Sequence, residues 1–180
     1  GRKDEGSSPR NSYSASFVYS QVVNQRFQYS LLFDLATQDG LLGTSYQRVY
    51  FKNGGLNYEH LPSSRFKIPV GLRANYFMSD RIVIRSAYRF YSDDWGVRAH
   101  TADIELPVKI TPFFSLSPFY RYYTQSASDH FAPYAAHDAG AEFYTSDYDL
   151  SKFNSNYVGA GFRFTPEKGV FGWKRINMLE

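Results

Sequence analysis

The 180 residues carry 20 Lys and Arg against 17 Asp and Glu, a formal charge of +3, with no Cys and with 16 Tyr and 16 Phe. The missing Cys excludes a disulfide scaffold and a thiolate metal centre. The small, scattered positive charge excludes a nucleic-acid-binding tail, and no apolar run reaches the roughly 18 residues that a membrane-crossing helix needs.

The chain opens on GRKDEGSSPR, polar throughout and with no signal peptide in it. From there it reads as a series of two-faced strands. The first, 12 to 23, sets Tyr13, Ala15, Phe17 and Tyr19 against Ser12, Ser14, Ser16 and Ser20. The second, 26 to 36, sets Phe27, Tyr29, Leu31, Phe33 and Leu35 against Arg26, Gln28, Ser30 and Asp34. The third, 65 to 76, is the cleanest, with Phe66, Ile68, Val70, Leu72, Ala74 and Tyr76 on one face and Arg65, Lys67, Arg73 and Asn75 on the other.

The fourth, 81 to 91, sets Ile82, Ile84, Tyr88 and Phe90 against Arg81, Arg85 and Arg89. The fifth, 101 to 110, sets Ala102, Ile104, Leu106, Val108 and Ile110 against Asp103, Glu105 and Lys109. The sixth, 113 to 124, holds Pro118, which predicts a bulge or local break because proline cannot donate to a ladder. The seventh, 156 to 164, alternates Val158, Ala160, Phe162 and Phe164 with Gly159, Gly161 and Arg163, and an eighth starts near Val170.

Short connections (24–25, 78–80, 111–112, 166–169) alternate with longer ones (37–64, 92–100, 125–155). Tight turns at one end and long loops at the other are the habit of antiparallel barrels in outer membranes. Phe27, Tyr29, Tyr76, Phe113, Phe114 and Phe164 fall near the short turns, and Tyr13, Phe66, Tyr88, Phe90, Tyr120 and Tyr122 near the long loops, which predicts two aromatic girdles around an aliphatic band. The reading is an all-β, antiparallel, up-and-down transmembrane β-barrel in a bacterial outer membrane, one domain over 1–180 with 1–11 as a flexible external loop. The turn parity implies an incomplete part of a larger barrel, with further strands on both sides. A soluble barrel or sandwich with the same alternation is the competing reading.

The proposed lumen face is cationic: Arg26, Arg65, Lys67, Arg73, Arg81, Arg85, Arg89, Lys109, Arg121 and Arg163 against Asp34, Asp103 and Glu105. Centring the hairpins on their turns places Arg73, Arg85, Asp103 and Arg121 in one row, and Arg89, Glu105 and Arg163 complete the charge cluster. Two roles fit it: internal charge pairs, or a wall that concentrates anionic solutes. The external loops carry Asp93, Asp94, Asp129, His130, His137, Asp138, Asp147 and Asp149. Oxygens and imidazoles so gathered would suit calcium or a transition metal, although no spacing matches a metal motif. His100, His130 and His137 near loop Asp and Ser residues keep a rim enzyme open as a third choice, but no catalytic set stands out and the expectation is a non-enzyme without a cofactor.

The segments YRFYSDDWGVRAHTADIELP (88–107), SPFYRYYTQ (117–125) and YTSDYDLSKFNSNYVGAGFR (144–163), with QRVYF (47–51), resemble a family of bacterial proteins, domain of unknown function 3570, found in Bacteroidetes and some Proteobacteria. The resemblance implies a longer parent and an outer-membrane barrel, brings no catalytic or binding residues with it, and puts SDDW, ELP and SDYDLS at the external strand ends. The predicted role is therefore passive: a porin-like channel or an envelope structural component, in contact with outer-membrane lipid and with small anionic solutes or an envelope lipoprotein as partners. A cell-surface protein that binds a divalent metal or a protein through its acidic loops is the alternative.

Overall fold

The computed structural model describes residues 10–44 and 46–166, so the expected eighth segment and most of the expected N-terminal loop lie outside the described residues. The strands are β1 (Asn11–Asn24), β2 (Phe27–Asp39), β3 (Arg48–Tyr50), β4 (Leu56–Tyr58), β5 (Ser64–Ser79), β6 (Ile82–Asp93), β7 (Arg98–Glu105), β8 (Val108–Thr111), β9 (Phe114–Gln125) and β10 (Phe153–Phe164). Apart from one 3-10 turn (Tyr148–Leu150) there is no helix among the described residues, and none long and apolar enough to cross a membrane.

The main sheet is an antiparallel meander, β1-β2-β5-β6-β7-β9-β10, with β8 continuing the line of β7 between β6 and β9. Every predicted segment within the described residues is a strand, because alternation over ten or more residues leaves one periodicity to satisfy. Turns of two residues join β1 to β2, β5 to β6 and β8 to β9 at one end of the sheet, the turn end.

Three details depart from the sequence reading. Strands β6 and β7 run further than expected and are joined by only four residues, 94–97, so the connection expected over 92–100 is a tight hairpin turn rather than a long loop. The expected loop 37–64 contains the β3–β4 hairpin, whose Asn53-Gly54-Gly55 turn between alternating residues is a legible hairpin signal. The break expected at Pro118 falls on its neighbour: β9 is continuous, while the single strand expected over 101–110 is interrupted at Leu106-Pro107. Leu106 N donates to the Pro118 carbonyl at 2.9 Å and Val83 N to the Pro107 carbonyl at 3.1 Å, but neither proline has an N–H to return, so the ladder lapses on both sides of this segment.

The register carries the alternation across the whole sheet. Phe17, Phe33, Val70 and Phe90 stand in one row, and Tyr19, Leu31, Leu72, Tyr88, Ala102 and Tyr122 in another. On β5 the aromatics Phe66 and Tyr76 bracket Ile68, Val70, Leu72 and Ala74. This apolar face is exposed: Phe17, Leu31, Phe33, Val70, Leu72, Ile104, Leu116, Val158 and Phe162 all remain open. The buried residues sit elsewhere. Val49, Phe51 and Tyr144 form a small core between the loop carrying β3–β4 and the loop 126–152, and Trp95, Val97 and Ala99 are buried at the head of β7.

Candidate functional site

The opposite, polar face of the sheet holds the charge cluster. Arg121 Nε donates to Asp103 Oδ1 on the adjacent strand, Arg85 pairs with Glu105 at 3.4 Å, and Arg89 reaches Asp34 at 3.5 Å. The last pair spans two strand spacings, from β6 over β5 to β2, and passes Gly71, which pairs with Arg89 on one side and Leu32 on the other. A Cβ there would make ordinary contacts with the Leu32 side chain at 3.5 Å and the Tyr88 carbonyl at 3.6 Å.

The predicted row is correct for Arg73, Asp103 and Arg121, which share a level with Ala87 between them. Arg85 is two residues out of that row and faces Asn75 and Glu105. The turn between β5 and β6 falls at Asp80-Arg81 rather than over 78–80, which moves the pairing by more than the one-residue bulge at Phe77/Ser79 takes back.

A cavity of about 760 Å³ opens over this row, lined among others by Asp34, Arg73, Arg85, Arg89, Asp103, Glu105 and Arg121. A second, of about 790 Å³, lies toward the turn end and is lined by Arg26, Arg81, Arg85, Lys109 and Arg163, with Asp80 and Glu105. Gly159 has a close-approach role on the same face: a Cβ there would lie 2.5 Å from the Phe119 ring, which crosses above it.

At the loop end the eight candidate loop residues do different things. Asp93 is the best satisfied carboxylate and is wholly buried. Its Oδ2 accepts from Arg65 Nε at 2.9 Å, from the terminal nitrogen at 2.5 Å and from Tyr91 OH at 2.8 Å. Its Oδ1 accepts from the backbone of Trp95 at 3.1 Å and Val97 at 3.0 Å. The Arg65 guanidinium also lies over the Trp95 ring, 4.4 Å from its centroid, and Trp95 Nε1 donates to the Ser64 carbonyl. The turn needs Gly96, which has φ +81° and brings its Cα against the Asp129 carboxylate, where a Cβ would lie 2.4 Å away.

Asp94 and Asp129 are exposed beside this turn. Asp138 pairs with Lys52 at 2.7 Å, and Asp147 caps the 3-10 turn by accepting from the backbone N–H of Asp149. His137 is buried, its Nε2 2.8 Å from the Thr145 carbonyl. His130 sits edge-on to Trp95 and Phe143, with ring centroids 6.1 and 5.5 Å away. Among the described residues no three of His, Asp and Glu are placed to share a metal ion, and no imidazole is hydrogen-bonded to a Ser or Asp side chain.

Sequence reasoning missed Glu59, which ties the two long loops together. Its carboxylate accepts from Thr44 N at 2.6 Å and Thr44 Oγ1 at 2.9 Å, and from Thr145 Oγ1. Nothing local marks this residue, because its partners come from loops 15 and 86 residues away.

Burial lowers the pKa of His130 from its ordinary 6.5, against the upward pull of Asp129, Asp94 and Asp93. The folded loop therefore favours neutral imidazole. Its contribution is complete above about pH 6.5 and declines as the pH falls through that value toward the lowered one, where the unfolded segment takes up a proton first. Hydrogen exchange in 126–152, corrected for its intrinsic pH dependence, should thus accelerate between pH 7 and 5. His130→Phe should flatten the profile, and an unchanged slope in that variant assigns the step to another group.

The model of the family described as protein of unknown function (DUF3570) matches residues 2–171. The chain belongs to this family. No curated protein and no solved structure matches it. In this DUF3570 chain the resembling segments take distinct places. SDDW forms the Asp93 turn, and SDYDLS contains the capped 3-10 turn, both at the loop end. ELP, expected at the external end, is instead the mid-sheet interruption between β7 and β8, since β7 already starts at Arg98, seven residues before Glu105.

Proposed function

We propose that the chain forms part of the wall of a bacterial outer-membrane β-barrel, with its apolar face on lipid and its polar face lining a passive, porin-like path for small anionic solutes. The observation that carries this reading is the inversion of the usual burial pattern. The sheet leaves an apolar face open across all its long strands, and the hydrophobic core lies in the loops. An apolar surface of that extent on a soluble monomer would seek a cover. The alternation of β-barrels that span membranes has this form, apolar out and polar in.

Ion pairs consume part of the lumen charge, yet Arg26, Arg73, Arg81 and Lys109 have no acidic partner among the described residues. A wall with surplus cations raises the local concentration of anions. In planar bilayers under a salt gradient, the full-length protein should give a reversal potential of the sign set by anion preference. A cation-preferring or silent protein overturns the channel reading.

A second reading, a surface-binding protein, draws on one observation. Tyr46, Tyr58, Tyr134 and Tyr148 stand exposed on the ordered loops, and Tyr is a residue that supplies contact area at low entropic cost.

A further inference from the structure

We infer that the cavity at the turn end is a binding site for a small multivalent anion, carrying two or more negative charges as in a diphosphate or a di- or tricarboxylate. The inference rests on the reading of the polar face as the interior. What singles out this level of the face is how the charges are matched along it. At the loop end Arg65 is consumed by Asp93, and in the middle Arg121, Arg89 and Arg85 each have a carboxylate, leaving Arg73 as the one Arg of that level without one among the described residues.

Below Arg85 the matching stops. Arg26 leads into β2, Arg81 into β6 and Lys109 lies on β8, all lining one cavity of about 790 Å³, and none has an ion pair among the described residues. The register sets Arg81 level with Lys109 and puts Arg26 one row nearer the middle, level with Phe77 and Val83. Phe77 N donates to the Arg26 carbonyl at 2.7 Å, Lys109 N donates to the Arg81 carbonyl at 2.8 Å, and Lys109 faces Ser115. The acids at hand are Asp80 on the turn and Glu105, which already holds Arg85.

The spacing argues for a ligand with more than one charge. From β2 across β5 and β6 to β8 is three strand intervals, about 14 Å of backbone, which long side chains can close only around an extended or branched anion. Half-buried Ser115 and Ser117 offer hydroxyl donors with no partner among the described residues, and the volume falls in the range of small-molecule sites. Chloride, with one charge, would engage one cation at a time.

The test is titration calorimetry of the full-length protein in detergent micelles at low salt, with sodium pyrophosphate as the probe and sodium chloride as the control. Saturable binding of pyrophosphate, weakened at least tenfold in the double variant Arg81→Gln with Lys109→Gln and weakened as salt rises, is the expected result. Arg73→Gln, three rows from Arg81 and lining the other cavity, should leave the affinity within twofold. Circular dichroism of each variant checks that the sheet is retained, and Arg26→Gln serves as a second probe should the double variant not fold. No pyrophosphate binding, or binding unchanged in the Gln variants, overturns the site. Binding in a protein that conducts nothing overturns the channel reading alone, and conduction without binding overturns the site alone.

Discussion

Replacing Asp93 by Ala is expected to lower stability by about 3–5 kcal/mol, the cost of stranding one partner of a buried ion pair. The geometry explains why the effect should be large. The side chain is fully buried and satisfies five donors at once: two from Arg65, one from Tyr91 and the backbone N–H groups of Trp95 and Val97. Removal would leave Arg65, whose side chain is only 17% exposed in the intact protein, with its charge uncompensated, and two amides of a turn without acceptors. Asp93→Asn should be milder, because it retains an acceptor for the amides while losing the charge. Denaturant titration of the refolded protein reads both, with limited proteolysis locating the opening at the loop end. A loss under about 1 kcal/mol for Asp93→Ala would show that the turn is held by other contacts.

Asp93 also marks where reading the chain alone succeeds and fails. The strands were legible because alternation is a local property. Phe66 to Tyr76 declares its two faces without reference to any partner. The charge row was legible to within two residues, failing at Arg85 because the β5–β6 turn sits at Asp80-Arg81 and not over 78–80. The loops were not legible. SDDWG reads as two acids of one external loop, yet one of its carboxylates is buried under Arg65 and Trp95 while the other stays in water. The same holds for His137 and Glu59, whose partners lie on the other long loop or across a bend within one. Composition cannot distinguish a solvated loop from one stapled by contacts between residues 86 positions apart.

A second large effect is expected on the apolar face, and its dependence on position matters more than its size. Leu72 lies midway along β5, 42% exposed, between Leu31 and Tyr88. On a water-exposed surface Leu72→Arg would change stability by no more than about 0.5 kcal/mol, since it vacates no core. Against hydrocarbon the same substitution should cost about 2–4 kcal/mol at the bilayer midplane, and only about 0–1 near the interfaces. The matched substitutions Phe66→Arg and Tyr76→Arg sit on the same strand and face, six residues toward the loops and four toward the turns. They should therefore cost markedly less than Leu72→Arg once the Tyr and Phe truncations are corrected with the Ala variants. Folding titrations in lipid vesicles measure the three values on one scale. A peak at Leu72 that falls off in both directions is the profile of a strand crossing a bilayer. A flat profile would instead mean that the face is covered by protein or by water, and the argument from its exposure would lose its footing together with the assignment of the Arg-rich side as the interior.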